Sequence, residues 1–258
     1  MRVVFLGAHN LESSGTRCVS LLIDGVLALD AGSLTSGLTF PEQAALQAVF
    51  LSHSHYDHIR DIPALGLNLL RMGRSVDVYS SAEVRETVIE TMLNGDLYPK
   101  VHERPPEAPA IRFNTVEAGD SFPIGGYQAR ALPMAHVKPS FGLEVIAPTG
   151  TTMFYTADTG PLPEDFWTQT APDVLIVETT APSAQTDLVQ LAGHLTPALL
   201  EEELVRFRSL QGYLPRVLTV HMDPLLGDNG QMADELAEVA RRTGAQIQVA
   251  AEGLEIEI

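Results

Sequence analysis

The residues best suited to chemistry lie together in the segment LSHSHYDHIRD at positions 51–61, which contains His53, His55, Asp57 and His58. An apolar run at 48–51 precedes them, as expected where a buried strand ends. Side chains alternate between the two faces of an extended segment, so His53 and His55 should point the same way. A turn is then needed to bring Asp57 and His58 towards a second position. Imidazole nitrogens combined with a carboxylate oxygen suit a divalent cation, zinc first, so the segment predicts a metal site.

Three further candidate ligands each end an apolar run later in the chain. His136 follows ALPMA, Asp158 follows FYTA, and His221 follows RVLTV. Strand ends at one edge of a sheet can bring such side chains together, and a carboxylate has two oxygens that can face two ions. We therefore expect two metal ions bridged by Asp158. The ligands expected for the first ion are His53, His55 and His136, and those for the second are Asp57, His58 and His221.

Several other polar residues have both a functional and a structural interpretation. His194 could donate a hydrogen bond or a proton to a bound substrate, or it could only cap the start of a helix. Asp30 could orient a ligand histidine, or it could be an ordinary turn residue. Glu178 ends a predicted strand and could orient His194. Tyr56, which lies between the candidate ligands of the first segment, is expected to pack against its neighbours, with a role in shaping the pocket as the alternative.

The hydrophobic pattern predicts strands grouped at the start of each half of the chain, with helices between and after them. Asp24-Gly25 joins two apolar runs, CVSLLID and VLALDAG, and is typical of a tight hairpin turn. A helix is expected at 61–72, with Asp61 as its N-cap and Pro63 in its first turn. The other expected helices cover 82–95, 162–167, 195–210 and 230–244.

Charge and composition restrict the partners that the protein can have. Thirty-three acidic residues against sixteen basic ones give a formal charge of −17, and no basic run is present to hold the phosphates of a long nucleic acid. A small anionic substrate held by metal ions is compatible with this charge. No apolar run is long enough to suggest a membrane partner. The single Cys18 cannot form an internal disulfide, which fits the expected cytoplasmic location, and no signal peptide is expected. A homodimer is compatible with the sequence, and His9 and His102, which belong to no motif, are expected at the surface.

The pattern HSHYDH, followed by His136, Asp158 and His221, resembles the metallo-β-lactamase superfamily. The resemblance implies an α/β fold, a four-layered αββα sandwich of two similar halves, with one or two metal ions at the edge between the sheets. It also implies that residues 1–258 form a single hydrolase domain of this type. Aspartates at positions 57 and 158 favour the dinuclear hydrolase branches over the β-lactamases themselves.

Three shorter motifs narrow the resemblance. LDAGS at 29–33, DTGP at 158–161 and GHLTP at 193–197 are similar to segments of the class II cyclic-nucleotide phosphodiesterases. They imply a dinuclear metal-dependent phosphodiesterase that cleaves a small substrate, such as a 3′,5′-cyclic nucleotide, with a metal-bound hydroxide. Asp57 and Asp158 would hold the metal and accept a hydrogen bond from the hydroxide, and His194 would act as the acid.

Other functions stay open at this point. A thioester or lactone hydrolase of the same fold would use the same ligands, and a nuclease for short RNA would be related to the tRNA 3′-processing ribonucleases. A protein that binds metal without catalysis is the alternative from a different functional class. The donor set suits zinc, manganese and iron, so we expect two divalent ions with zinc preferred.

Overall fold

The computed structural model describes residues 1–227 and 229–258, and the strands there form two seven-stranded sheets. In spatial order, the first sheet contains β14 (Glu255–Glu257), β1 (Arg2–Gly7), β2 (Ser20–Ile23), β3 (Leu27–Leu29), β4 (Ala48–Phe50), β5 (Val76–Ser80) and β6 (Ile111–Thr115). The second contains β13 (Gln246–Val249), β12 (Arg216–Val220), β11 (Val174–Glu178), β10 (Thr152–Tyr155), β9 (Phe141–Ile146), β8 (Tyr127–Pro133) and β7 (Ser121–Ile124).

Helices connect and cover these strands. The α-helices are α1 (Leu34–Gly37), α2 (Phe40–Ala45), α3 (Tyr56–Ile59), α4 (Ile62–Met72), α5 (Ala82–Thr87), α6 (Thr186–Leu191), α7 (Pro197–Gln211) and α8 (Asn229–Thr243). A π-helical turn (Val88–Met92) and two 3₁₀ turns (Phe166–Thr168 and Ser183–Gln185) complete the helical elements of the described residues. None of the helices in that part of the chain combines the length and the apolar character that crossing a membrane requires.

The two sheets pack face to face around the main core. Phe5 and Leu21 of the first sheet share a buried apolar cluster with Leu143, Tyr155 and Ile176 of the second. A second cluster lies between the first sheet and helices that include α4, and a third lies between the second sheet and α7 with α8. The layers therefore run helix, sheet, sheet, helix, which confirms the expected four-layered αββα sandwich.

Strand direction places several strand ends at one edge of the sandwich. In the first sheet, β3, β4, β5 and β6 are parallel, and in the second sheet β10, β11, β12 and β13 are parallel. Strand β8 runs in the same direction as β10 because both are antiparallel to β9. The carboxyl ends of parallel strands are where ligands usually bind in open α/β sheets. Within each sheet, the polar residues at the carboxyl ends of the parallel strands therefore lie along the same edge. These strands are β3 and β4 in the first sheet and β8, β10, β11 and β12 in the second.

Most of the local predictions are confirmed. Strands β2 and β3 pair as an antiparallel hairpin, and Asp24 and Gly25 both have the positive φ that a tight hairpin turn needs. Helix α4 begins after Asp61 as predicted, although the Asp61 carboxylate accepts bonds from Thr35 rather than from the helix. Helix α7 begins at Pro197 after Thr196, whose side chain accepts the Leu199 N–H.

Two of the predicted helices are wrong in part. The stretch 162–167 forms only the 3₁₀ turn at Phe166–Thr168, because Trp167 is buried and donates its indole N–H to Glu203 of α7. The stretch 82–95 begins as α5 but continues as the π-helical turn and ends before Gly95. In the first stretch this packing outweighs local helix propensity.

Candidate metal centre

The segment after β4 supplies four side chains within one turn of structure. His53 follows the strand, His55 is the N-cap of α3, and Asp57 and His58 lie inside that helix. The turn expected from the sequence is thus a single helical turn. Gly32 makes room for it, because a Cβ atom on Gly32 would lie 2.4 Å from the Asp57 carbonyl oxygen. This close approach gives a physical reason for glycine in the LDAGS motif.

The first group of potential ligands combines both halves of the chain. Ligand atoms of His53, His55, His136 and Asp158 all lie within 4.8 Å of one another. His136 Nε2 is 3.1 Å from His55 Nδ1, and Asp158 Oδ2 is 3.6 Å from His53 Nε2. Burial lowers the pKa of His136 to about 4 and also lowers the pKa of His53. Neutral imidazoles with free lone pairs are the form that binds metal.

The second group is made by Asp57, His58 and His221. The Nε2 atoms of His58 and His221 each lie 3.4 Å from Asp57 Oδ2. Asp158 contacts this group too, through Oδ1 at 3.3 Å from His58 and Oδ2 at 3.2 Å from His221. Asp158 therefore lies between the two groups, in the bridging position that the sequence predicted. Metal binding by each of these residues stays a prediction.

Both carboxylates of the cluster are strongly acidic. Burial would raise the pKa of Asp57, but the nearby imidazoles of His221 and His58 outweigh burial and hold that pKa well below its usual range. The same opposition holds for Asp158, where burial is outweighed by the charges of His221 and His58. Burial would lower the pKa of His58, but Asp158 and Asp30 raise it well above its usual value. The carboxylates are therefore ionised and can compensate a cation.

Three buried atoms of the cluster show that a cation fits. His53 Nε2, His58 Nε2 and Asp158 Oδ1 are inaccessible to solvent, and no hydrogen-bond partner is found for them among the described residues. Leaving a buried polar atom unpaired costs about 1–3 kcal/mol. These atoms belong to facing imidazoles and a carboxylate, which is the donor set of a divalent metal. The His/Asp cluster is therefore suited to divalent metal binding.

Asp30 holds the histidines of the first sheet in orientation. It is fully buried after β3, and its Oδ2 atom accepts the Nδ1–H of His58 at 2.8 Å and the hydroxyl of Tyr155 at 2.8 Å. The same carboxylate accepts the backbone N–H and the hydroxyl of Ser52, and that hydroxyl lies 2.9 Å from His53 Nδ1. This geometry supports the interpretation that Asp30 orients a candidate ligand histidine rather than serving as an ordinary turn residue.

Glu178 organises the other side of the cluster. This fully buried carboxylate lies 2.8 Å from His194 Nδ1 and accepts the hydroxyl of Thr180 at 2.9 Å. The Thr180 oxygen is also 3.0 Å from His221 Nδ1, so one carboxylate positions His194 directly and His221 through Thr180. The sequence analysis missed Thr180, although its place two residues after a strand-end glutamate is a usable signal.

His194 lies outside the first two groups, but its ligand atom is within 4.8 Å of ligand atoms of Asp158 and His221. Its ring stacks on His221 with centroids 5.2 Å apart, and its centroid is 4.8 Å from that of His136. Burial lowers its pKa, but the bond to Glu178 outweighs burial and raises the pKa. Gly193, with φ +78°, accepts the Nδ1–H of His136 at 3.0 Å through its carbonyl oxygen. A Cβ atom on Gly193 would lie 2.9 Å from His136 Nδ1, so the site requires glycine there.

A pocket of about 440 Å³ opens onto the cluster. The pocket is lined by Asn10, Leu11, Glu12, Cys18, His55, Tyr56, Asp57, Arg60, Asp158, His194 and His221. Tyr56 is 67% exposed there, so the expectation that it packs is wrong. The expectation that His9 lies at the surface is also wrong, because the residue is buried and its Nδ1 atom lies 2.7 Å from Glu252 Oε1. His102 is half-buried.

The sequence matches the model of a known protein family. The model of the β-lactamase superfamily domain matches residues 20–222, which is most of the chain. The chain belongs to this family. A search of curated proteins found no match.

Solved structures agree in fold over the full length. The metallo-β-lactamase fold protein YhfI from Bacillus subtilis aligns with TM-score 0.77 and 19% identity, covering 100% of this chain and 99% of its own. Unliganded yeast PDE1 aligns with TM-score 0.83 and 14% identity, with coverage of 100% and 99%. The short form of human tRNase Z aligns with TM-score 0.71 and 20% identity, again with 100% and 99% coverage. The chain thus has the metallo-β-lactamase fold of this superfamily.

Proposed function

We propose that the protein is a dinuclear metal-dependent phosphodiesterase that hydrolyses a small phosphodiester, such as a 3′,5′-cyclic nucleotide. The observation that carries this proposal is the position of Asp158 between two groups of ligands, with the His194–Glu178 pair beside them. A bridged pair of cations and an adjacent proton donor are suited to displacement at phosphorus.

The proposed ligands of the two ions, which we expect to be zinc, are those of the two groups described above. His53, His55 and His136 would hold one ion, Asp57, His58 and His221 would hold the other, and Asp158 would contact both. Two bound cations would supply charge stabilisation for the phosphoryl oxygens and a lower pKa for water at neutral pH. Manganese or iron would suit the same donors.

The carboxylates would orient the attacking water. Asp57 is the more accessible of the two, with 26% of its side chain exposed in the pocket, whereas Asp158 is almost fully buried. Both are held in the ionised form by the neighbouring histidines. An ionised carboxylate can accept a hydrogen bond from water and fix its direction of attack.

His194 would protonate the leaving oxygen. Glu178 fixes its Nδ1 atom at 2.8 Å, so the Nε2 atom of the ring is left for the substrate. Its side chain is 15% exposed, which gives it access to the pocket. A positioned general acid contributes roughly 10²–10⁴-fold to the rate.

The pocket and the overall charge favour a small substrate. A volume of about 440 Å³ is at the lower end of the range for small-molecule sites, which is about 300–1,000 Å³. The formal charge of −17 disfavours a long nucleic acid, whose phosphates need a basic surface. The fold similarity to yeast PDE1 supports the proposal, while the similarity to tRNase Z makes a short RNA the natural competitor.

A substrate panel on protein of measured metal content tests the proposal. The panel contains cyclic mononucleotides, cyclic and linear dinucleotides, a short RNA, a thioester and a lactone. We expect turnover of a cyclic mononucleotide. Protein with two bound ions that hydrolyses the thioester or lactone but no phosphodiester would overturn the assignment.

A matched pair of histidine variants tests the acid. His194→Ala should retain its metal and lose roughly 10²–10⁴-fold in kcat. His102→Ala, which changes a half-buried histidine outside the pocket, should turn over substrate like the wild type. Near-normal kcat for His194→Ala would refute the role of His194.

A further inference from the structure

One wall of the pocket carries an aromatic ring that the proposed chemistry does not use. Tyr56 is the first residue of α3, directly between His55 and Asp57, and its side chain is 67% exposed. Arg60 follows one helical turn later, where residues i and i+4 share a face. Its guanidinium carbon lies 5.8 Å from the centroid of the Tyr56 ring, within the range of a cation–π contact.

The charge of Arg60 is already compensated. Its Nη1 atom lies 2.5 Å from Glu12 Oε2, and its Nε atom lies 3.9 Å from Asp61 Oδ1. Arg60 is the one Lys or Arg among the described residues that line the pocket. This wall is therefore not a second phosphate site. It presents a flat ring supported by a neutralised guanidinium, together with the partly exposed Leu11.

We propose that Tyr56, supported by Arg60 and Glu12, is the stacking platform for the planar base of the substrate and so determines specificity. The inference rests on the proposed function, because it places the phosphate end of the ligand at the Asp57 and Asp158 end of the pocket. Every nucleobase has a flat face, and aromatic side chains bind such faces by stacking. The position of Tyr56 between two candidate ligands fixes the platform at a set distance from the phosphate.

Equilibrium binding separates stacking from phosphate binding. On zinc-loaded protein, calorimetry gives Kd for a nucleoside 5′-monophosphate and for ribose 5-phosphate, which lacks the base. We expect Tyr56→Ala to weaken binding of the nucleotide about 5- to 150-fold and to leave binding of ribose 5-phosphate unchanged. Tyr56→Phe should bind both as the wild type does, whereas Tyr56→Leu, which keeps apolar bulk without a flat face, should resemble Tyr56→Ala.

Phe40 provides the matched control. It is also the first residue of a short helix and is 63% exposed, but it lies outside the pocket. Phe40→Ala should therefore bind both ligands normally. Wild-type nucleotide binding by Tyr56→Ala or Tyr56→Leu would overturn the inference, as would an equal loss for both ligands.

The same data distinguish this inference from the proposed function. A wild-type protein that turns over no phosphodiester but discriminates the two ligands through Tyr56 would retain the platform and lose the phosphodiesterase assignment. A protein that hydrolyses a cyclic nucleotide without any effect of Tyr56→Leu on KM would retain the activity and lose the platform.

Discussion

Replacing Asp30 by asparagine should weaken metal binding although Asp30 is not a proposed ligand. Its Oδ2 atom accepts bonds from Ser52 Oγ, Tyr155 and His58, and its Oδ1 atom accepts the Ser52 N–H. The side-chain amide of asparagine at position 30 must turn its NH₂ group either towards the three groups at the Oδ2 position or towards the Ser52 N–H. The two hydroxyls can rotate and accept, but His58 can accept at Nδ1 only by carrying its proton on Nε2. That proton would occupy the lone pair meant for the metal.

The size of the effect follows from this conflict. If the amide instead turns its oxygen towards His58, its NH₂ group faces the Ser52 N–H, and a buried donor is left unpaired at a cost of about 1–3 kcal/mol. Changes in such supporting partners typically reduce metal affinity by roughly 10–100-fold. We expect a loss of that size for the ion on His58, and a smaller one for the ion on His53, which Asp30 reaches only through Ser52.

Chelator competition with zinc-loaded protein measures both dissociation constants. Asp24→Asn is the matched control, since Asp24 also has a positive φ and also accepts a tyrosine hydroxyl, that of Tyr127, away from the cluster. Asparagine tolerates this backbone region, so neither variant should suffer from backbone strain. Wild-type affinity in Asp30→Asn, or an equal loss in Asp24→Asn, would refute the reasoning.

Two further perturbations test the site and the fold. Gly193→Ala should destabilise the protein by about 1–3 kcal/mol and should also weaken metal binding, because the added methyl group would press on His136. Gly212→Ala, at φ +80° with open space around it, should lower the stability without affecting metal binding. Urea unfolding measures the stability of each variant, and chelator titration measures its metal affinity. Burial would raise the pKa of Glu252, but its bond from His9 outweighs burial and lowers the pKa to about 2. The stability that Glu252 contributes is therefore complete above about pH 4.5 and lost as the pH falls through about 2. Urea unfolding between pH 2 and 6 should show a flatter profile for Glu252→Gln, and identical profiles would contradict the assignment.

The positions of His136, Asp158 and His221 could be predicted because each ends an apolar run. Chain direction in a sheet then brings His136, Asp158 and His221 to one edge, and alternation orients His53 and His55. These are consequences of local pattern and simple topology, so a single sequence contains them. The four-layered fold followed from the family resemblance of these same residues.

What the sequence could not predict depends on contacts between distant residues. The contact of Thr180 with His221 joins residues 41 positions apart, which meet only when the second sheet forms. The burial of His9 depends on Glu252, which is 243 positions away. The exposure of Tyr56 depends on the pocket left open beside it. Hydrophobic periodicity predicts which face of a single helix or strand is buried. It does not predict contacts or pockets that form only when separate elements pack together.

The candidate centre also joins the ends of very long chain loops. His55 meets His136 across 81 positions, and Asp57 meets His221 across 164 positions. The only cysteine, Cys18, is free, so the chain has no covalent cross-link of its own. Ions held between the two sheets would stabilise the folded chain, because their site forms only after these long loops have closed. Their binding free energy would then offset the conformational entropy that loop closure costs. In this protein the same cations would then serve as both the reaction centre and the cross-links of the fold.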